Sequence, residues 1–412
     1  VSPIFRCFVF GCVVLGACSP SPDVTGSEND TPSATQELTP EVVEELEALG
    51  YSQAADVPVR PDTISTYDPE LAHPGYNVYV SGHAPEAYLI DMEGQLLHTW
   101  RKPFEEIWPD ESLPNFAEQH MKLFFRQFYL FPNGDLIVNF ELFGVAKLDK
   151  ESNVLWSHKG FAHHDIDVDT EGNVYVLGKR VEYEDGDESQ WTLYPTIDVL
   201  TPDGNLKRRL DIYEYFANSK YRALIQEIDE HGEIGDIFHN NTIRVLDGSQ
   251  AHRSPYFNKG NILVTSPEFD AVYIVDPEQE TITWMIRSLF HRAHDSTLLE
   301  NGNILIFDNQ SLGERSQIIE FEPFSHTIEW RYDGGEHAPF YSGCCSVVQR
   351  FPNGNTLAVV TAQATAFEVT PDGEIVWQFH NPAALTHDVR AGNLFELRRF
   401  PKDHVNSWLT NE

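Results

Sequence analysis

The side chains able to do chemistry in this sequence stand at places fixed by a recurring turn. Gly134, Gly172, Gly302 and Gly354 follow Asn or Glu in equivalent turns, and eight residues before them stand Arg126, His164, His294 and Ser346. A further unit carries an insertion at the turn, with His239-Asn240-Asn241 near the corresponding place, and the same step back from Asp403 gives Phe395. Imidazole titrates near pH ~6.5, so it can give or take a proton at neutral pH. A guanidinium offers a planar fork of donors to the oxygens of an anion. His164, His239 and His294 are therefore candidate catalytic residues, and Arg126, Asn241 and Ser346 candidate substrate contacts, provided the fold gathers these distant positions.

A repeat supplies that fold. From Gly75 the chain runs through units made of a Gly-Asn strand, an apolar strand ending in a polar turn, and a strand closing on Trp100, Trp156, Leu210, Trp284, Trp330 and Trp377 in turn. The closing residues are 56, 54, 74, 46 and 47 apart, a period of the kind that marks propellers and solenoids. Pro-Asp-Gly and Pro-Asn-Gly turns between alternating Val, Ile and Leu assign the units to antiparallel strands. The expected fold is an all-β, six-bladed β-propeller of four-stranded antiparallel blades. The first unit lacks an inner strand, whereas Arg399-Phe400-Pro401-Lys402 resembles Arg350-Phe351-Pro352-Asn353. The C-terminal strand is therefore expected to complete blade one and close the ring. The candidate residues then begin the innermost strands and line one mouth of the central channel. Neighbours on an extended strand alternate in direction, so His163 is expected to face away from the channel. Asp165 and Asp295 are likewise expected not to partner the histidines beside them.

The motifs His163-His164-Asp165, Phe238-His239-Asn240-Asn241 and His294-Asp295 resemble those of the bacterial arylsulfotransferase-like propellers. Phe307-Asp308-Asn309, Arg315-Ser316 and Gln349-Arg350-Phe351-Pro352-Asn353-Gly354 extend the resemblance, which covers roughly residues 75 to 403. It implies transfer of a sulfuryl group from a phenolic or aryl sulfate donor to a phenol acceptor, with no nucleotide donor and no cofactor. It also implies that His239, His294 and Arg315 hold the sulfate and handle the proton; Arg126 has no counterpart in that motif set. The family's transiently sulfated histidine belongs to the last blade, where this chain reads Gly343-Cys344-Cys345-Ser346. His337 and His387 are the histidines that could reach the mouth from a loop, at spacings that do not match. This departure keeps two alternatives open: a propeller that binds an anion or small ligand without turnover, and a metal-assisted enzyme. No His-x-His or His-x₃-His spacing occurs at the channel positions, so no metal is expected.

Composition narrows the partners. With 28 Lys and Arg against 64 Asp and Glu the formal charge is −36, which excludes the cationic footprint that nucleic acid requires. Neither a phosphate-cradling Gly loop nor a Gly-x-Ser-x-Gly elbow is present. Residues 1–18 have the form of a lipoprotein signal: Arg6, an apolar run, and Leu15-Gly16-Ala17-Cys18, with Cys18 the expected lipidation site. A lipid there would attach the chain to a membrane without spanning it, and Ser19 suits outer-membrane sorting. The expected location is thus the periplasm or cell surface. Residues 19–37 read as a polar tether, 38–50 as a short helix with Pro40 in its first turn and Gly50 at its end, and 51–412 as the propeller domain.

Overall fold

The computed structural model describes residues 63–409, apart from 116, 184–185, 188–190, 226–235, 237 and 386–391. The signal, Cys18, the tether, the 38–50 helix and His387 lie outside the described residues.

The described residues form six antiparallel sheets. Their inner strands are Leu394–Phe400, Phe128–Leu130, Ala162–Val168, Thr242–Val245, His294–Leu298 and Val347–Arg350, for blades one to six. Blade one is closed by the C-terminus: Tyr76 pairs with Phe400 and Val80 with Glu396, so the last strand sits innermost beside Tyr76–Ser81. Five sheets have four strands. The sixth has five, because Ile64–Tyr67 pairs with Ile375–His380 and covers what would be an open outer edge. Among the described residues no helix is long and apolar enough to cross a membrane.

Strand alternation explains the stacking. Successive side chains point to opposite faces, and each blade has apolar residues on both. Ile262 packs toward blade three while Leu263 packs toward blade five; Ile304 and Leu305 divide likewise between blades four and six. Six apolar clusters result, one at each junction of neighbouring blades. The closing tryptophans tie the same junctions with polar bonds. Trp100 donates its Nε1–H to Gly134 O at 3.0 Å, Trp156 to Pro202 O at 3.0 Å, Trp330 to Pro371 O at 2.9 Å and Trp377 to Met92 O at 2.9 Å. Each reaches a turn of the following blade, the inner-strand turn for Trp100 and the outer turn for the other three, and the last of these returns to blade one. Gly204 is needed at one such turn: its φ is +79°, and a Cβ there would lie 2.5 Å from the Trp156 ring.

The channel is closed by charge. Arg244 bridges Asp165 and Asp295, and Arg398 bridges Asp295 (3.0 Å) and Glu396 (2.9 Å). Glu396 accepts from Phe128 N at 3.0 Å and Asp295 from Val348 N at 2.6 Å. Every blade contributes to this plug. It separates the mouth that carries the candidate residues from a cavity of about 330 Å³ at the opposite end. Asp165 and Asp295 thus serve arginines across the channel rather than the histidines beside them.

Candidate active site

Each of the six blades delivers at least one residue to the mouth: Phe395, Arg126, His164, His239, His294 and the Cys345-Ser346 pair. Their contacts run round the axis. Arg126 stacks on Phe395 at 4.3 Å from the ring centroid, and its Nη2 lies 3.2 Å from Cys345 Sγ. Cys345 N donates to His294 Nε2 at 3.0 Å. His164 and His239 meet through their Nε2 atoms at 3.1 Å. Glu141 joins the ends of this circuit, accepting from His164 N at 3.1 Å with Arg126 Nε at 3.9 Å.

The backbone explains why side chains converge so tightly. His164, His239, Cys345 and Ser346 have φ of +55°, +39°, +61° and +78°, a left-handed conformation that costs a non-glycine residue about 1–3 kcal/mol and persists only where surroundings enforce it. At His164 this turn breaks the alternation of the strand. The expectation that His163 faces away is therefore corrected: the His163 and His164 rings lie 4.1 Å apart between centroids, and His163 stands 4.8 Å from His239. All three imidazoles share the mouth.

Carboxylates behind the rings set their tautomers. Asp236 accepts at 2.9 Å from His239 Nδ1 and also pairs with Lys179. Burial alone would raise the Asp236 carboxyl, but Lys179 and His239 outweigh it and hold it well below the usual range. His239 therefore carries its hydrogen on Nδ1, so its Nε2 accepts the Nε2–H of His164. Glu141 pairs with His163 Nδ1. Burial, followed by the Lys179 charge, pushes His163 down to about 4. Burial and the neighbouring His163 and Arg126 charges push His164 well below an ordinary imidazole.

His294 is held on both nitrogens. Its Nδ1 donates to Asn309 Oδ1 at 2.9 Å and Arg292 O at 3.0 Å, while Nε2 accepts from Cys345 N. Burial pushes it down to about 3, so at neutral pH it is an uncharged ring and a scaffold for the Cys345 loop. Asn241 and Ser346 are also engaged by protein: Asn241 Nδ2 donates to Ala293 O at 3.2 Å, and Ser346 N donates to Thr361 Oγ1 at 2.9 Å. Arg315 lies elsewhere, its Nη2 on Gly335 O at 2.9 Å and Asp333 Oδ2 at 3.3 Å. The guanidinium among the imidazoles is Arg126. In the last blade, Cys344 and Cys345 are buried thiols with Sγ atoms 2.7 Å apart. The Cys344 contact, then burial, pushes the Cys345 thiol well above its ordinary value. His337 is exposed.

Sequence reasoning gave no role to Glu141, Lys179, Asp236 or Asn309, the last of which it quoted only within a motif. A signal existed for three of them. Seven residues after the turn glycines stand Glu141, Lys179, Asn309 and Thr361, and each contacts a mouth residue or the Asp236 that supports one. Asp236 lies within the insertion, where the repeat gives no guide.

One guanidinium, that of Arg126, and four buried imidazoles, those of His163, His164, His239 and His294, thus stand at one mouth of a six-bladed propeller. Residues 127–382 match the family model described as Arylsulfotransferase (ASST). The chain belongs to that family. No curated protein matches it. Similar solved structures include a protein of unknown function from Bacteroides caccae at 12% identity and TM-score 0.49, covering 79% of this chain and 98% of that one. A streptogramin B lyase has 12% identity and TM-score 0.44, with 81% and 87% covered. The Cps50 (Swd1) β-propeller domain of Myceliophteria thermophila has 10% identity and TM-score 0.46, with 78% and 90% covered.

Proposed function

We propose that the mouth transfers a sulfuryl group from an aryl sulfate to a phenol. The observation that carries this reading is Arg126 across from the carboxylate-backed His164–His239 pair, in a chain of the arylsulfotransferase family. A sulfuryl group stays anionic throughout transfer, so positioning and fixed positive charge do most of the work, as in phosphoryl transfer. Arg126 takes the sulfuryl oxygens. One S–O bond breaks to the departing phenol oxygen and one forms to the incoming phenol oxygen. The acceptor's proton is taken by His164 Nδ1, the ring nitrogen that the His239 contact does not use, and is returned from it to the departing oxygen.

The transfer is direct in this reading. Cys345 occupies the place of the family's sulfated histidine, and the contact that raises its thiol keeps it protonated and a poor nucleophile. His294, assigned by motif to the chemistry, acts by holding the Cys345 backbone, and Arg315 acts as a surface clamp on the Gly335 loop. In the same reading residues 1–18 are a lipoprotein signal, and Cys18 anchors the enzyme at the outer membrane, facing the periplasm or cell surface. Initial velocities with a chromogenic phenyl sulfate, varied against an acceptor phenol, test the proposal. Acceptor-dependent release with intersecting double-reciprocal lines is expected. Parallel lines would indicate a covalent intermediate, and ligand protection without release would favour a binding propeller.

A further inference from the structure

We propose that His163, His164 and His239 form a binding site for a divalent transition-metal ion of the zinc class. Their ring nitrogens lie within 4.8 Å of one another, and all three residues are buried. A tetrahedral ion with metal–nitrogen bonds of about 2.0–2.1 Å holds its ligand atoms roughly 3.3–3.4 Å apart. The His164 and His239 Nε2 atoms already stand at 3.1 Å, so only His163 has to close in.

The supporting groups have the form metal sites use. A ligating histidine usually gives its other ring nitrogen to a carboxylate, which fixes the tautomer and sharpens the free lone pair. Asp236 does this for His239 at 2.9 Å and Glu141 for His163. The His163 side chain is 2% exposed, and its Nε2 makes no hydrogen bond, with Asp236 Oδ2 3.6 Å away. A buried polar atom without a partner is costly, and an ion among the three rings would satisfy it. Glu141 and Asp236 balance Arg126 and Lys179, so a bound dication would leave the mouth positive. Three protein ligands leave a fourth position open, the arrangement of reactive rather than structural zinc. On binding, the His164 hydrogen would move from Nε2 to Nδ1, which frees both facing Nε2 atoms for the ion. The site stands on imidazole geometry alone, whether or not the substrate is a sulfate ester.

The test is titration of the full chain, stripped by a chelator, with Zn²⁺ against a chromogenic competitor. Co²⁺ serves in parallel as a spectroscopic probe. About one ion per chain and intense visible Co²⁺ bands of a four-coordinate nitrogen site are expected. His239→Ala and His164→Ala should each weaken binding by about 100-fold or more, Asp236→Asn by about 10–100-fold, and exposed His326→Ala not at all. No stoichiometric Zn²⁺, a weak octahedral Co²⁺ spectrum, or binding unchanged in His239→Ala overturns the proposal. The cobalt spectrum needs no variant, so it decides even if a substitution prevents folding. Where no stoichiometric ion binds, acceptor-dependent sulfuryl transfer by the same stripped chain would leave the functional reading standing.

Discussion

The Nε2 atoms of His164 and His239 meet at 3.1 Å across 75 positions of sequence and two blades. Each is buried, and Asp236 fixes which nitrogen of His239 is open. Residues sharing a hydrogen in this way do not act independently, and groups in one network couple by about 0.5–3 kcal/mol. The double variant His164→Gln/His239→Gln should therefore lose far less turnover than the product of the single losses. Steady-state kinetics of the four proteins measure this, and multiplicative losses would show that the pair is not a unit.

Arg126 and Arg315 have opposite surroundings, the first buried beside imidazoles and the second 41% exposed on the Gly335 loop. Removing a buried donor to an oxyanion costs about 10²–10³ in rate, whereas a surface pair is worth about 0–1 kcal/mol. Arg126→Ala is expected to lower kcat/KM for an aryl sulfate by about two orders of magnitude, and Arg315→Ala by less than about fivefold. The reverse order would return the clamp to Arg315.

Much of the fold was legible because its causes are local and periodic. Turn glycines, closing tryptophans and alternating strands each recur, and the shared phrase Arg-Phe-Pro in Arg350-Phe351-Pro352 and Arg399-Phe400-Pro401 revealed the closing strand. The positions of Arg126, His164 and His294 followed from the same spacing. His163 was misjudged because alternation assumes a regular strand, and the +55° φ of His164 is a tertiary consequence. Asp236 and the arginine plug depend on contacts between blades, which spacing within a blade cannot show. Arg315 carries the family motif, yet what a guanidinium touches is decided by its loop, here Gly335 and Asp333.

The plug makes a stability prediction. Asp295 is buried between Arg244 and Arg398 and accepts from Val348 N. Taking one charge from a buried network leaves the others uncompensated, at a cost of about 3–5 kcal/mol. Asp295→Asn should lower the urea midpoint accordingly without changing its slope. An unchanged midpoint would mean that the channel charges are solvated.

The buried imidazoles predict acid sensitivity. His294, pushed down to about 3 by burial, titrates near 6.5 once unfolded (~6.5). Between these values the unfolded chain binds the extra proton, so stability rises with pH and is lost as pH falls from about 6.5 toward 3. His294→Gln should flatten this part of the profile measured by thermal unfolding. Asp167, pushed up to about 6 by burial, acts in the opposite sense between about 4 and 6 and partly masks it. An unchanged slope in the variant would show that His294 is protonated in the folded chain.

The central claim is that sulfuryl groups change phenols at this mouth. Mass spectrometry of the acceptor after incubation with a sulfur-labelled phenyl sulfate tests it most directly. Labelled acceptor sulfate should appear in step with donor phenol, and Arg126→Ala and His239→Ala should each lower both by about 100-fold or more. Labelled inorganic sulfate alone, or transfer that survives both substitutions in folded protein, would contradict the account.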